Sequence, residues 1–183
     1  MTGPAATVEE RVFGPLVEGR ACGECVACCV EIAIDDAELS KPAGTQCVHC
    51  GPRGCAIYDT RPDSCRAWFC AWRRLADLPE NLRPDRSGLM ACLMERPGDA
   101  NPLLRLYIVV QWLDGRPIAR SAEADELLAR LRRIGLPVWV GSGERISLHS
   151  PPDAVALHLI NGTEPESAVA DEVAFWRSRL PGA

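Results

Sequence analysis

Nine cysteines crowd between Cys22 and Cys70, and this crowding constrains the fold more than any other feature of the 183-residue chain. Only Cys92 stands apart. The first cluster reads Cys22-Gly23-Glu24-Cys25-Val26-Ala27-Cys28-Cys29, two overlapping C-x-x-C units followed by an adjacent cysteine. The second reads Cys47-Val48-His49-Cys50-Gly51-Pro52-Arg53-Gly54-Cys55 and runs on to Cys65 and Cys70. A C-x-x-C spacing lets two thiolates converge on one ion, and two such groups about twenty residues apart are how structural thiolate sites are assembled. Adjacent side chains diverge, so Cys28 and Cys29 are expected to serve two metals, or one of them to bridge.

The intervening sequence supports the same expectation. Residues 21–70 show little sustained hydrophobic period and carry Gly23, Pro42, Gly44, Gly51, Pro52, Gly54 and Pro62 as breakers. So long a stretch without a core of its own needs another source of order, and ligand bonds supply one. Its N-terminal flank begins MTGPAATVEER, with early acidic residues and no charged-then-apolar run, so no secretory signal is read there. The expected compartment is the cytoplasm, where clustered cysteines ligate metal or do redox chemistry more often than they form disulfides.

At this point the sequence resembles the YkgJ-type cysteine-cluster proteins, a family described as a zinc- or iron-chelating domain. The resemblance covers roughly residues 20–75. It rests on C-x-x-C-x-x-C-C at Cys22 to Cys29, then Cys47, Cys55-Ala56-Ile57-Tyr58, Arg61-Pro62-Asp63-Ser64-Cys65-Arg66, and Cys70. It implies a ligand set of Cys22, Cys25, Cys28, Cys29, Cys47, Cys55, Cys65 and Cys70, and leaves Cys50 and Cys92 outside the pattern. Eight thiolates match two tetrahedral zinc sites, or one zinc and one iron–sulfur cluster. Zinc is the expected ion and iron or an iron–sulfur cluster the alternative, since thiolates argue against magnesium and calcium. Clusters of this type also resemble those of flagellin lysine N-methylases. The two functional expectations are therefore a non-enzymatic metal-binding protein, structural or metal-handling, and a metal-dependent or iron–sulfur enzyme. The first is preferred, because the chain is short and shows no S-adenosylmethionine loop, phosphate loop, dinucleotide fingerprint or nucleophile elbow.

Several neighbours of the cysteines look like supporting groups. Arg53, Arg61, Arg66, Arg73 and Arg74 could offset thiolate charge. Trp68, Phe69 and Trp72 read as an apolar wall, and His49 is a conceivable nitrogen ligand. His149 and His158, in apolar alternation, read as structural. The net charge of −5 gives no electrostatic reason to expect nucleic acid as a partner. No apolar window is long enough for a membrane span. The expected partners are the metal ion and a protein of unknown identity.

The expected fold is one α+β domain over 1–183, an irregular metal-binding region at 20–75 packed on a small antiparallel sheet with helices at 76–183. Residues 5–19 read as a short helix. Leu89–Glu95 and Leu103–Gln111 read as strands, and Ser121–Ile134 as a capped amphipathic helix. Val138–Val140 and Arg145–Leu148 flank Gly141-Ser142-Gly143 as a hairpin. The segment from Ser150 to Gly162 is either helix or strand, and a last helix runs from Pro165 to Arg179. Cys92, inside LMACLME, reads as a buried small hydrophobe.

Overall fold

The computed structural model describes residues 6–113, 121–142 and 145–181. The chain is α+β and divides into two compact units, one ending at Met90 and taking in Leu113, the other holding Ala91–Trp112 and the described residues from Ser121 onward. No described helix is long and apolar enough to cross a membrane.

The first unit is built from short pieces. Helix α1 (Val8–Phe13) starts at a capping box, Thr7 accepting from the Glu10 N–H while the Glu10 carboxylate accepts from the Thr7 N–H. It stops well before the expected residue 19 because Gly14, at φ +86°, takes a conformation that side-chain-bearing residues avoid. Then follow α2 (Ala27–Glu31) and an antiparallel pair, β1 (Ile34–Asp35) with β2 (Ser40–Lys41). A second such pair is β3 (Cys50–Gly51) with β4 (Gly54–Cys55). A 3-10 turn at Tyr58–Thr60 leads to α3 (Asp63–Ala67), α4 (Ala71–Arg74) and α5 (Pro84–Ser87). The region expected to be irregular, 20–75, thus has short elements, its helices α2, α3 and α4 each of five residues or fewer. Its apolar core is small: Phe13, Trp72, Leu78 and Leu82 are buried.

The second unit has a four-stranded sheet in the order β5 (Leu89–Glu95), β6 (Leu106–Trp112), β7 (Val138–Ser142) and β8 (Arg145–Ser150), β5 beginning at the edge of the first unit. The sheet is mixed rather than wholly antiparallel, because β6 and β7 are parallel. Parallel neighbours need a crossover, and α6 (Ala122–Arg132), capped by Ser121, supplies it. Strand β6 begins at Leu106, not Leu103: Asn101 accepts from the Leu103 N–H, and Pro102–Leu104 form a 3-10 turn that buries Leu103. Strands β7 and β8 are the expected antiparallel pair, while Gly143 of the expected turn lies outside the described residues. The segment left open between helix and strand is helix α7 (Asp153–Asn161). Helix α8 (Ala170–Arg177) starts five residues later than expected, because Val169 has non-helical backbone. Cys92 is buried, as its surroundings in the sequence imply.

Helices α7 and α8 close a cluster of Leu103, Val155, Ala156, Leu159, Val173, Trp176 and Leu180. Truncating a buried tryptophan costs about 3–5 kcal/mol. Trp176→Ala should therefore lower the unfolding free energy of the second unit by about 3–5 kcal/mol, read from a urea titration followed by circular dichroism.

Candidate metal centre

The first unit encloses a cavity of about 260 Å³. Its wall carries Cys22, Cys25, Cys28, Cys29, Cys47, Cys55, Cys65 and Cys70, the eight cysteines of the family-like pattern. Cys50 and Cys92 are absent from it. Residues separated by up to 48 positions in sequence are thus gathered around one space.

Local chemistry explains how. The Cys22–Cys25 segment is a tight turn, closed by the Cys25 N–H donating to the Cys22 carbonyl at 3.0 Å, and α2 follows at once with Cys28 and Cys29. The Cys47 N–H donates to the Cys29 carbonyl at 2.8 Å, drawing the second cluster onto that helix. Lys41, the one lysine, is buried with its ammonium on the carbonyls of Val30 and Ile32, where it satisfies the C-terminal end of α2. Across β3 and β4, Cys50 faces Cys55 in register. Gly54 sits at φ +103°, and a Cβ there would lie 2.5 Å from the Gly23 carbonyl oxygen. Only glycine lets this knuckle approach the Cys22–Cys25 turn so closely.

Cys70 arrives by another route. It caps α4, and the Arg20 guanidinium binds the carbonyls of Trp72, Leu75, Ala76 and Leu78 around that helix's C-terminal end. Arg20 also lies over the Trp72 ring, 4.8 Å from its centroid. The clamp ties the chain two residues before Cys22 to the helix that Cys70 begins. Arg20 and Lys41 carried no signal in the sequence, because their partners are backbone carbonyls that no residue pattern marks.

The arginines divide. Arg61 and Arg73 line the cavity, whereas Arg66 is exposed and paired with Asp63 at 2.6 Å. Arg74 is buried but turned to the Gly14 carbonyl at 3.1 Å and to Glu10 at 3.9 Å. Arg53 is exposed. Arg61 stacks on Tyr58 at 3.9 Å, and Phe69 lies within 5.8 Å of Arg61, Arg73 and Arg74. Of the aromatic residues expected to wall the site, Trp68 and Phe69 do so, while Trp72 is core. His49 is also on the wall. His149 is exposed rather than set in apolar surroundings, and His158 exchanges a hydrogen bond with Thr163 at 2.9 Å.

Two electrostatic facts bear on what the cavity can hold. Arg73 is only 7% exposed, and among the described residues its Nε and Nη1 have no hydrogen-bond partner; neither has Arg61 Nε. A guanidinium stays charged at any ordinary pH, so burying it unpaired is costly unless negative charge stands nearby. Five of the wall thiols, in turn, are biased toward the neutral form. Burial pushes Cys70 up to about 11 from the ordinary 9.0 and raises Cys25, Cys55 and Cys65, with Arg61 pulling Cys55 partly back. A hydrogen bond with Cys28 raises Cys29. Four thiolates around a divalent ion leave two negative charges, which suits a wall bearing Arg61 and Arg73. The donor set and the charge therefore fit a thiolate-bound metal. As they stand, no three Cys, His, Asp or Glu side chains among the described residues are arranged to hold an ion. The sulfurs surround a space and do not yet meet at a point.

No family model, curated protein or solved structure matches this chain.

In reduced, chelated protein the raised thiols favour the fold only while protonated. Their contribution is complete below 9.0 and is lost as pH rises through about 11 for Cys70. Alkylation mapped by mass spectrometry should show Cys70 reacting well above the pH at which an exposed thiol does. Reaction at the ordinary pH would contradict the burial.

Proposed function

We propose that this protein binds zinc or iron through Cys22, Cys25, Cys28, Cys29, Cys47, Cys55, Cys65 and Cys70, in a structural or metal-handling role and without catalysing a reaction. The observation that carries the reading is the gathering of those eight cysteines, and neither Cys50 nor Cys92, around one cavity whose buried Arg73 has, among the described residues, two guanidinium nitrogens without a hydrogen-bond partner. Zinc is favoured, because a redox-inert ion with four thiolates supplies fixed geometry and charge neutralisation without further chemistry. Each ligation would displace a thiol proton, so affinity falls as pH falls. The reading places the protein in a reducing compartment, the cytoplasm, where the free thiols persist until metal takes them.

Anaerobic purification followed by elemental analysis, with intact mass measured without reduction, tests this reading. About one to two equivalents of zinc or iron and no disulfide are expected, since eight thiolates complete at most two four-sulfur sites. Metal-free protein with native disulfides among these cysteines would overturn it.

A further inference from the structure

One cysteine of the second cluster is off the cavity wall. Cys50 nevertheless stands directly opposite Cys55, which is on it, across the β3–β4 ladder. The Ala56 N–H donates to the His49 carbonyl at 2.8 Å. His49 and Ala56 are therefore a hydrogen-bonded pair, and Cys50 and Cys55, one step nearer the turn, a non-hydrogen-bonded one. Opposed residues put their side chains on the same face, and in a pair of this kind they stand closest. Such pairs hold their Cα atoms about 4.5 Å apart, within the range of about 4.4–6.8 Å that a disulfide spans.

This register has little room to slip. The loop joining the strands is only Pro52-Arg53. Gly54 carries the knuckle against the Gly23 carbonyl, where no Cβ would fit. Cys47, the other partner that spacing offers Cys50, is engaged elsewhere: it is buried, and its Sγ accepts from the His49 N–H at 3.4 Å. Cys50 and Cys55 are free thiols and only half-buried, so a small oxidant can reach the pair.

We propose that Cys50 and Cys55 are an oxidative modification site, which a hydroperoxide closes into a cross-strand disulfide. In metal-free protein the Cys50 thiol attacks the peroxide: the O–O bond breaks, the sulfur becomes a sulfenic acid and one water leaves. The Cys55 sulfur then attacks that sulfur. The S–S bond forms, the S–O bond breaks, and a second water carries off the hydroxyl and the Cys55 proton. Two electrons pass from the sulfurs to the peroxide. Burial raises the Cys50 thiol above its ordinary 9.0, so the first step is slow and answers to sustained oxidant. The pairing itself stands on the backbone register. Its consequence rests on the metal-binding reading above: the disulfide denies Cys55 to the ion, so oxidation releases metal, and bound metal in turn shields Cys55 from oxidation.

The test uses the full chain, reduced, stripped of metal by chelator and treated with hydrogen peroxide. Remaining thiols are alkylated, and the chain is digested without reduction and mapped by mass spectrometry. Trypsin cuts after Arg53, so a Cys50–Cys55 disulfide links two peptides, whereas Cys47–Cys50 stays within one. Cys50–Cys55 should be the first disulfide to form. A first disulfide that joins Cys50 to Cys47 or Cys29, one that leaves Cys50 out, or none at all would overturn the pairing. Because the mapping is done on wild type, it does not depend on a variant folding. Zinc-loaded protein is then treated in the same way beside a zinc indicator. Wild type should release zinc as the link forms. Cys50→Ala, which keeps all eight proposed ligands, should load as wild type does, lose the link and release zinc more slowly. A link that forms with all zinc retained, or a Cys50→Ala protein that folds and does not load, would overturn the proposed consequence. Wild type that takes up no zinc would remove the metal-binding reading, and the pairing would still be decided by the mapped disulfide.

Discussion

The first unit depends on the Arg20 clamp. A planar guanidinium reaching four carbonyls from Trp72 to Leu78 does for this unit what a sheet or a long helix does elsewhere. Hydrogen bonds from a charged donor contribute about 1.5–3 kcal/mol each. Here they satisfy carbonyls at the end of a four-residue helix that could not stand alone. The clamp fixes the segment entering Cys22 against the segment leaving Cys70. With these ends joined, everything between them must close into a loop, and the cysteines line its inside.

That loop encloses an imbalance of charge. Its wall has two arginines, with three guanidinium nitrogens lacking a hydrogen-bond partner among the described residues, and thiols of which burial biases Cys25, Cys55, Cys65 and Cys70 toward the neutral form. Under the proposed function, metal ligation would resolve both sides at once, converting thiols to thiolates and giving the guanidinium groups an anion to face. It would also help a region with so few buried apolar side chains offset the entropy of ordering it. The second unit has no such need. Its order comes from a four-stranded sheet and from the cluster around Trp176, with sequence patterns to match.

Which features were legible in the sequence follows from this division. The eight cysteines that line the cavity are those the resemblance implied, whereas spacing alone would also have kept Cys50, in a C-x-x-C unit with Cys47. Helix α6 was legible from Ser121 and its apolar stripe. The β5 strand was legible from a continuous apolar run. The parallel pairing of β6 and β7 was not, since it depends on where the crossover helix lands. Nor was the early end of α1 or the late start of α8, where one glycine and one valine decide the backbone. Arg20, Lys41 and the burial of Arg73 escaped for a deeper reason. A basic side chain that binds backbone carbonyls or an unformed anion has no complementary residue to reveal it. Of five arginines near the cysteines, sequence could not say that Arg61 and Arg73 turn inward while Arg53, Arg66 and Arg74 do not.

Under the proposed function sulfur, and sulfur alone, would surround the ion. X-ray absorption at the metal edge of anaerobically purified protein reads that shell directly. The proposed function predicts sulfur neighbours only, near 2.3 Å for zinc. A first shell of nitrogen or oxygen, with sulfur a minority or missing, would contradict it.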